Sequence, residues 1–308
     1  MSSSIWAGIV RACGRRMASA FIAGASLFVP AVQAQTPQAQ AEAKAAWDDA
    51  SKAAVHGPHD ITLAGQATLH LADGKVFIPQ PQAARLLRAM GNPGTYSNLE
   101  GLVMPKGEED WMAIVKFEKS GYIKDDDAKN WDAADLLKSY REGTDNANKE
   151  REKMGVSALE IVGWAEPPRY TAGNHQLVWA MSTKEKGAPA DQPQGVNYNT
   201  YALGREGYVS LNLVTGLKDL AKDKLQAQGL LSALAFDTGK RYEDFNPDTD
   251  HVAEYGLAAL VLGVGAKKLG LLAVIGAFLA KFAKLILVGA LGLGGAFMKL
   301  FRRDKSGG

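Results

Sequence analysis

The stretch Val196-Asn197-Tyr198-Asn199-Thr200-Tyr201-Ala202-Leu203-Gly204-Arg205-Glu206-Gly207-Tyr208-Val209-Ser210-Leu211-Asn212-Leu213-Val214 decides the fold. Two runs rich in Val, Leu and Tyr flank Gly204-Arg205-Glu206-Gly207, so residues 196–203 and 208–214 read as an antiparallel hairpin. Upstream, 159–164 and 175–181 are strand-like and join across Pro167-Pro168, with a Pro/Gly/Lys-containing loop at 184–195. Downstream, 217–234 reads as a helix carrying Leu220, Leu225, Leu231 and Leu234, and a short strand follows near Ala235-Phe236.

Further toward the N-terminus, Asp132 caps a helix whose third residue onward is Asp135, with Leu136, Tyr140, Ala147 and Met154 near one side and Gly155 as its stop. Strands are expected around 102–104 and 111–117, the latter buried in part on both faces. Pro81 opens a short helix with Ala84, Leu86 and Leu87 buried and Gly91 as its stop. Residues 61–63 and 67–71 form another hairpin, and Asp73-Gly74 turns the chain into 76–78. Hairpins are many and helices between strands are few. The expected class is therefore α+β, an antiparallel sheet with packed helices, followed by C-terminal membrane helices.

Charge is unevenly spread along the 308 residues. Residues 1–34 hold three arginines and no acid, 35–254 hold 24 Lys and Arg against 32 Asp and Glu, and 255–308 hold eight bases and one acid. An acidic middle repels phosphates, which argues against nucleic acid as a partner. Arg11, Arg15 and Arg16 precede an apolar stretch and Val32-Gln33-Ala34, so 1–34 reads as a signal peptide cleaved after Ala34. The single cysteine, Cys13, leaves with it, which removes thiol chemistry from the mature chain. Residues 35–56, rich in Ala and Gln, read as a flexible or helical spacer, 57–250 as the folded domain and 251–308 as the anchor. Within the anchor, 282–301 is the best span, about 30 Å long, with Lys284 and Lys299 near its ends. Residues 256–280 read as a second, membrane-associated helix, so the lipid bilayer is the expected partner of 256–301.

Few residues announce chemistry. No Gly-x-Ser-x-Gly, His-Glu-x-x-His or Gly-x-x-x-x-Gly-Lys-Ser/Thr motif occurs, which weighs against the best-known hydrolase and NTPase classes. Asp125-Asp126-Asp127 lacks the ligand spacing of a calcium loop, and His56 with His59 are too few for a firm metal site. No metal or cofactor is expected. Two polar-aromatic stretches remain, around Gly163-Trp164-Ala165-Glu166-Pro167-Pro168-Arg169-Tyr170 and Val196-Asn197-Tyr198-Asn199-Thr200-Tyr201. Glu166 and Arg169 would orient a ligand, the rings would supply contact area, and Tyr170, Asn197, Asn199 and Arg205 complete the candidate groove.

Gly101-Leu102-Val103-Met104-Pro105, Gly121-Tyr122-Ile123-Lys124-Asp125-Asp126-Asp127, Gly163-Trp164-Ala165-Glu166-Pro167-Pro168 and Val196-Asn197-Tyr198-Asn199-Thr200 together resemble the bacterial domain-of-unknown-function family 2167. The resemblance runs from about Ala64 to the basic tail. It implies a membrane-anchored protein with an extracytoplasmic domain, and it supplies no reaction or cofactor. The element order is also similar to the PsbP-like sandwich, over the domain alone. The functional expectation is a non-enzymatic binding or scaffold domain on the periplasmic side of the inner membrane, with its basic C-terminus in the cytoplasm and an envelope protein or small ligand as partner. The alternative is a membrane-tethered enzyme acting on envelope material, with Glu166 and a nearby acid or His175 as its acid/base pair.

Overall fold

The structure, a computed structural model, describes residues 37–263 apart from 91, 93–94, 130 and 154–156. The signal-peptide reading of 1–34, the helix stops at Gly91 and Gly155, and the anchor from 264 onward lie outside the described residues.

Alternation builds the centre of the molecule. In the strand Tyr208–Gly216, Val209, Leu211 and Leu213 enter one apolar cluster, while Tyr208 and Val214 enter two others on the opposite face. This strand, β10, pairs with β9 (Gly195–Leu203) on one side and β6 (Met112–Glu118) on the other, both antiparallel. Around them an eight-stranded sheet runs β1-β4-β5-β6-β10-β9-β8-β7. Its remaining strands are β1 (Val55–His56), β4 (Lys75–Pro79), β5 (Leu99–Pro105), β7 (Leu159–Thr171) and β8 (Gln176–Glu185). A second, three-stranded sheet runs β11-β3-β2, from Leu234–Phe236, Ala67–Leu71 and His59–Leu63. The hairpin read at 61–71 is therefore a separate layer, and Ala235-Phe236 joins it.

The small sheet and α4 (Leu220–Ser232) cover one face of the large sheet through Leu63, Leu69, Ala227, Leu230 and Leu231. The other face carries two separate groups of helices. At one end α1 (Pro37–Ala53) and α2 (Gln82–Ala89) pack on Ile78, Leu102, Met112 and Ile114. At the other end α3 (Ala133–Lys153) and α5 (Leu257–Val261) pack over Leu177, Trp179 and Met181. The chain is thus a mixed α and β fold on a large antiparallel sheet.

Three departures from the sequence reading have simple causes. The stretch read as a spacer forms α1, because Ala46 and Ala50, four apart, give a flat buried stripe, and Arg85 of α2 reaches back to Glu42 at 2.9 Å and to Asp49. The start of the stretch read as a membrane-associated helix forms α5, with Leu257, Leu260 and Val261 buried in the domain's own cluster. Strand β7 also runs on past Trp164 through Pro167-Pro168 to Thr171. Prolines lack the N–H a central strand needs, and they are tolerated here because β7 is the sheet's edge and carries three register shifts. Among the described residues, no helix is long and apolar enough to cross a membrane.

Candidate functional site

On the helix-covered face, polar side chains run diagonally across four adjacent strands. Lys116 of β6 stands opposite Ser210 of β10; Asn212 of β10 stands opposite Asn199 of β9; Asn197 of β9 is diagonal to Thr183 of β8. All six are buried. On one side of the diagonal lie Met112, Ile114 and Val214 beneath α1 and α2; on the other lie Trp179, Tyr201 and Met181 beneath α3 and α5. The diagonal is the floor of the seam between the two helical groups.

Its hydrogen bonding is incomplete. The Asn212 amide donates to Asn199 Oδ1 at 2.8 Å, and the Asn199 amide donates to the carbonyl of Asn197 at 3.2 Å. Asn212 Oδ1, Thr183 Oγ1 and Trp179 Nε1 have no partner among the described residues, although these side chains are only 5%, 2% and 2% exposed. Trp179 stands opposite Asn199 and leans edge-on to Tyr201, with ring centroids 4.7 Å apart. Buried polar groups are normally paired, so unpaired ones along one sheet face call for a partner outside the described protein atoms, a water or a ligand. Burial pushes the Lys116 ammonium down to about 8, against the pull of Glu118.

The six sequence candidates do not converge. Asn197 and Asn199 lie on the seam. Glu166 is turned to the opposite face by the register shift after Trp164, where Lys224 of α4 donates to it at 2.5 Å and Arg169 lies 3.9 Å away. Lys224 also sits 5.9 Å above the ring of Tyr198, whose hydroxyl burial pushes up to about 12, with Glu166 adding to the shift. Arg205, in the β9–β10 turn, holds Asp250 through two hydrogen bonds of 2.6 and 2.8 Å.

Tyr170 belongs to a third place. Its hydroxyl donates to Asp125 Oδ2 at 2.8 Å and lies 3.0 Å from His175 Nδ1, while His175 Nε2 is 3.2 Å from Glu243. The His175 ring stacks on Tyr242 at 4.0 Å, and Tyr242 packs on Tyr122 at 4.4 Å. Burial and then the bond to Asp125 push the Tyr170 hydroxyl far above its ordinary range, so it stays protonated. Glu166 and His175 therefore do not form the acid/base pair that the sequence suggested; each has other partners. Sequence reading missed Lys116, Thr183, Trp179, Ser210 and Asn212. Polar residues at alternate positions of strands otherwise buried on both faces were the available signal.

The Asp125-Asp126-Asp127 run is used structurally. Asp127 accepts from the backbone N–H groups of Leu257 at 3.1 Å and Ala258 at 2.9 Å, capping α5. Among the described residues, no group of three or more His, Cys, Asp or Glu is placed to hold a metal.

No curated protein matches this chain. Among solved structures it is similar to cyanobacterial PsbP (CyanoP) from Synechocystis sp. PCC 6803, at 12% identity over 58% of this chain and 92% of that one, with a TM-score of 0.36. It is also similar to the Ran-binding protein Mog1p of Saccharomyces cerevisiae, at 14% identity over 59% of this chain and 96% of that one, with a TM-score of 0.31. The sequence model of a family described as "Protein of unknown function (DUF2167)" matches residues 55–292, and the chain belongs to that family.

Proposed function

We propose that this chain is a non-enzymatic binding domain of the bacterial envelope, which takes its ligand along the seam of the large sheet. One observation carries the reading: a buried polar diagonal divides two apolar helix-packed regions, and Asn212 Oδ1 and Thr183 Oγ1 on it, with Trp179 Nε1 beside it, have no partner among the described residues. In this proposal the body is a PsbP-like sandwich, and the apolar, basic-flanked sequence after it is the membrane anchor. The domain then faces the periplasm, with the basic tail in the cytoplasm. The test is a thermal-shift screen of the full-length chain in detergent against metals, nucleotides, sugars and envelope fragments. A rise of several degrees that Asn199→Ala abolishes supports the reading. A folded protein that responds to nothing, and from which crosslinking at the domain recovers no partner, sinks it.

A second reading, a membrane-tethered enzyme acting on envelope material, is favoured by the chain of proton-exchanging groups Asp125, Tyr170, His175 and Glu243. It requires Tyr170→Phe and Glu243→Gln to remove function while leaving the melting temperature near that of the native chain.

A further inference from the structure

The chemistry of the seam's unpaired atoms specifies a ligand more narrowly than binding alone, and the inference rests on the binding reading above. Trp179 Nε1 is a donor and nothing else; Asn212 Oδ1 is an acceptor and nothing else; Thr183 Oγ1 is either. All three are neutral, and all stand on one face of three adjacent strands, β8, β9 and β10, with Asn199 between Trp179 and Asn212. The Trp179 indole meets the Tyr201 ring of β9 edge-on, with centroids 4.7 Å apart, and the Asn212 amide reaches Asn199 on that same strand.

A carboxylate or phosphate only accepts, so it would meet Trp179 and leave Asn212 Oδ1 facing another acceptor. An ammonium only donates and fails at Trp179 for the opposite reason. Lys116, the seam's one charged side chain among the six, has an interaction of its own, so the ligand is specified by the three neutral unpaired atoms. What fits is a neutral group carrying one fixed acceptor and one fixed donor. We propose that the seam binds a secondary amide, its carbonyl accepting from Trp179 Nε1–H and its N–H donating to Asn212 Oδ1. An N-acetylated sugar and a short peptide both carry that group. Because the seam residues are at most 9% exposed, uptake requires the helices that cover them to move.

The experiment uses the full-length chain in detergent and two amide probes, N-acetylglucosamine and N-acetylalanine N-methylamide. Glucosamine and alanine methyl ester are the matched compounds without the secondary amide. At millimolar concentration at least one amide probe is expected to raise the melting midpoint and change the fluorescence of Trp179, while the matched compounds do neither. Trp179→Phe removes the donor N–H together with buried ring volume, so the midpoint of the free variant should fall, and binding measured on the folded variant should weaken by up to about tenfold. Asn212→Leu, which removes the proposed acceptor, is the second variant should Trp179→Phe misfold.

A response to the sugar alone or the peptide alone supports the amide and identifies its source. If both amides are silent but another compound class binds and is lost in Trp179→Phe, the amide is wrong and the binding reading stands. If no class binds the native chain, both readings fail and the unpaired atoms are a packing cost.

Discussion

Asn148 takes the place of a neighbouring strand at Leu159: its Oδ1 accepts the Leu159 N–H at 2.8 Å and its Nδ2 donates to the Leu159 carbonyl at 2.8 Å. Beside it, Arg141 donates to the carbonyls of Ile161 at 3.3 Å and Val162 at 2.7 Å, and Arg151 donates to that of Ser157 at 2.7 Å. Helix α3 thus satisfies the open backbone groups at the start of the edge strand β7, and Pro167-Pro168 remove two further donors downstream. An edge without such cover is a template for pairing with another chain.

Asn148→Ala should therefore destabilise the domain by about 1–3 kcal/mol, because a buried N–H and a buried carbonyl lose their partner together. Urea denaturation of the variant measures the loss. An unchanged midpoint would mean that the helix's other contacts hold β7 without Asn148.

The Arg205–Asp250 pair predicts an acid-dependent contribution. Arg205 first, and then the Asn246 N–H, hold the Asp250 carboxyl well below the usual carboxylate range. A depressed carboxyl stabilises the fold above its unfolded-state value of about 4, and that contribution is lost as pH falls from there through the folded value. Asp250→Asn should be less stable than the native chain at neutral pH, and the two melting curves should converge as the solution is acidified. A constant gap down to pH 2 would contradict this.

Lys116 predicts the opposite end of the pH scale. Its folded value near 8 lies below the unfolded value of about 10.4, so between the two the unfolded chain binds more protons and stability rises with pH. Lys116→Met, which avoids burying an ammonium, should be the more stable protein at pH 7. Its advantage should shrink as pH climbs from about 8 toward 10.4. Parallel stability curves across that window would show that the ammonium is not desolvated in the fold.

Asp127 caps α5 from a distant part of the chain, through both carboxylate oxygens. Asp127→Ala should cost about 1 kcal/mol and speed hydrogen exchange at residues 257–261, with little change in the central strands. Asp127→Asn, which keeps one of the two accepting oxygens and points an amide N–H at the other donor, should recover only part of the protection. Gly256 belongs to the same contact: a Cβ there would lie 2.6 Å from the Asp127 carboxylate, so Gly256→Ala should loosen the cap as well.

Much of the framework was legible because its causes are local. The 196–214 hairpin, the strand pairs at 61–71 and the Asp132 cap, which accepts from Ala134 and Asp135 at 2.6 and 3.1 Å, all follow from residues within a few positions of one another. The six candidate residues were read as one groove because they cluster in sequence. Strand geometry separates them: the bulge after Trp164 turns Glu166 to one face, and alternation puts Asn197 and Asn199 on the other.

By itself the sequence determined the class of fold, the uneven charge along the chain and the positions of most strands and helices, since alternation, caps and turns act over one to four residues. Only the tertiary structure decided that the Ala-rich stretch before residue 54 packs as a helix, and that β2, β3 and β11 form a sheet of their own. It also decided that the polar floor assembles from Lys116, Thr183, Asn197, Asn199, Ser210 and Asn212. These outcomes depend on which strand pairs with which and on which face a bulge selects. They join residues as far apart as Ala67 and Phe236, 169 positions along the chain, where no local pattern reports the partner.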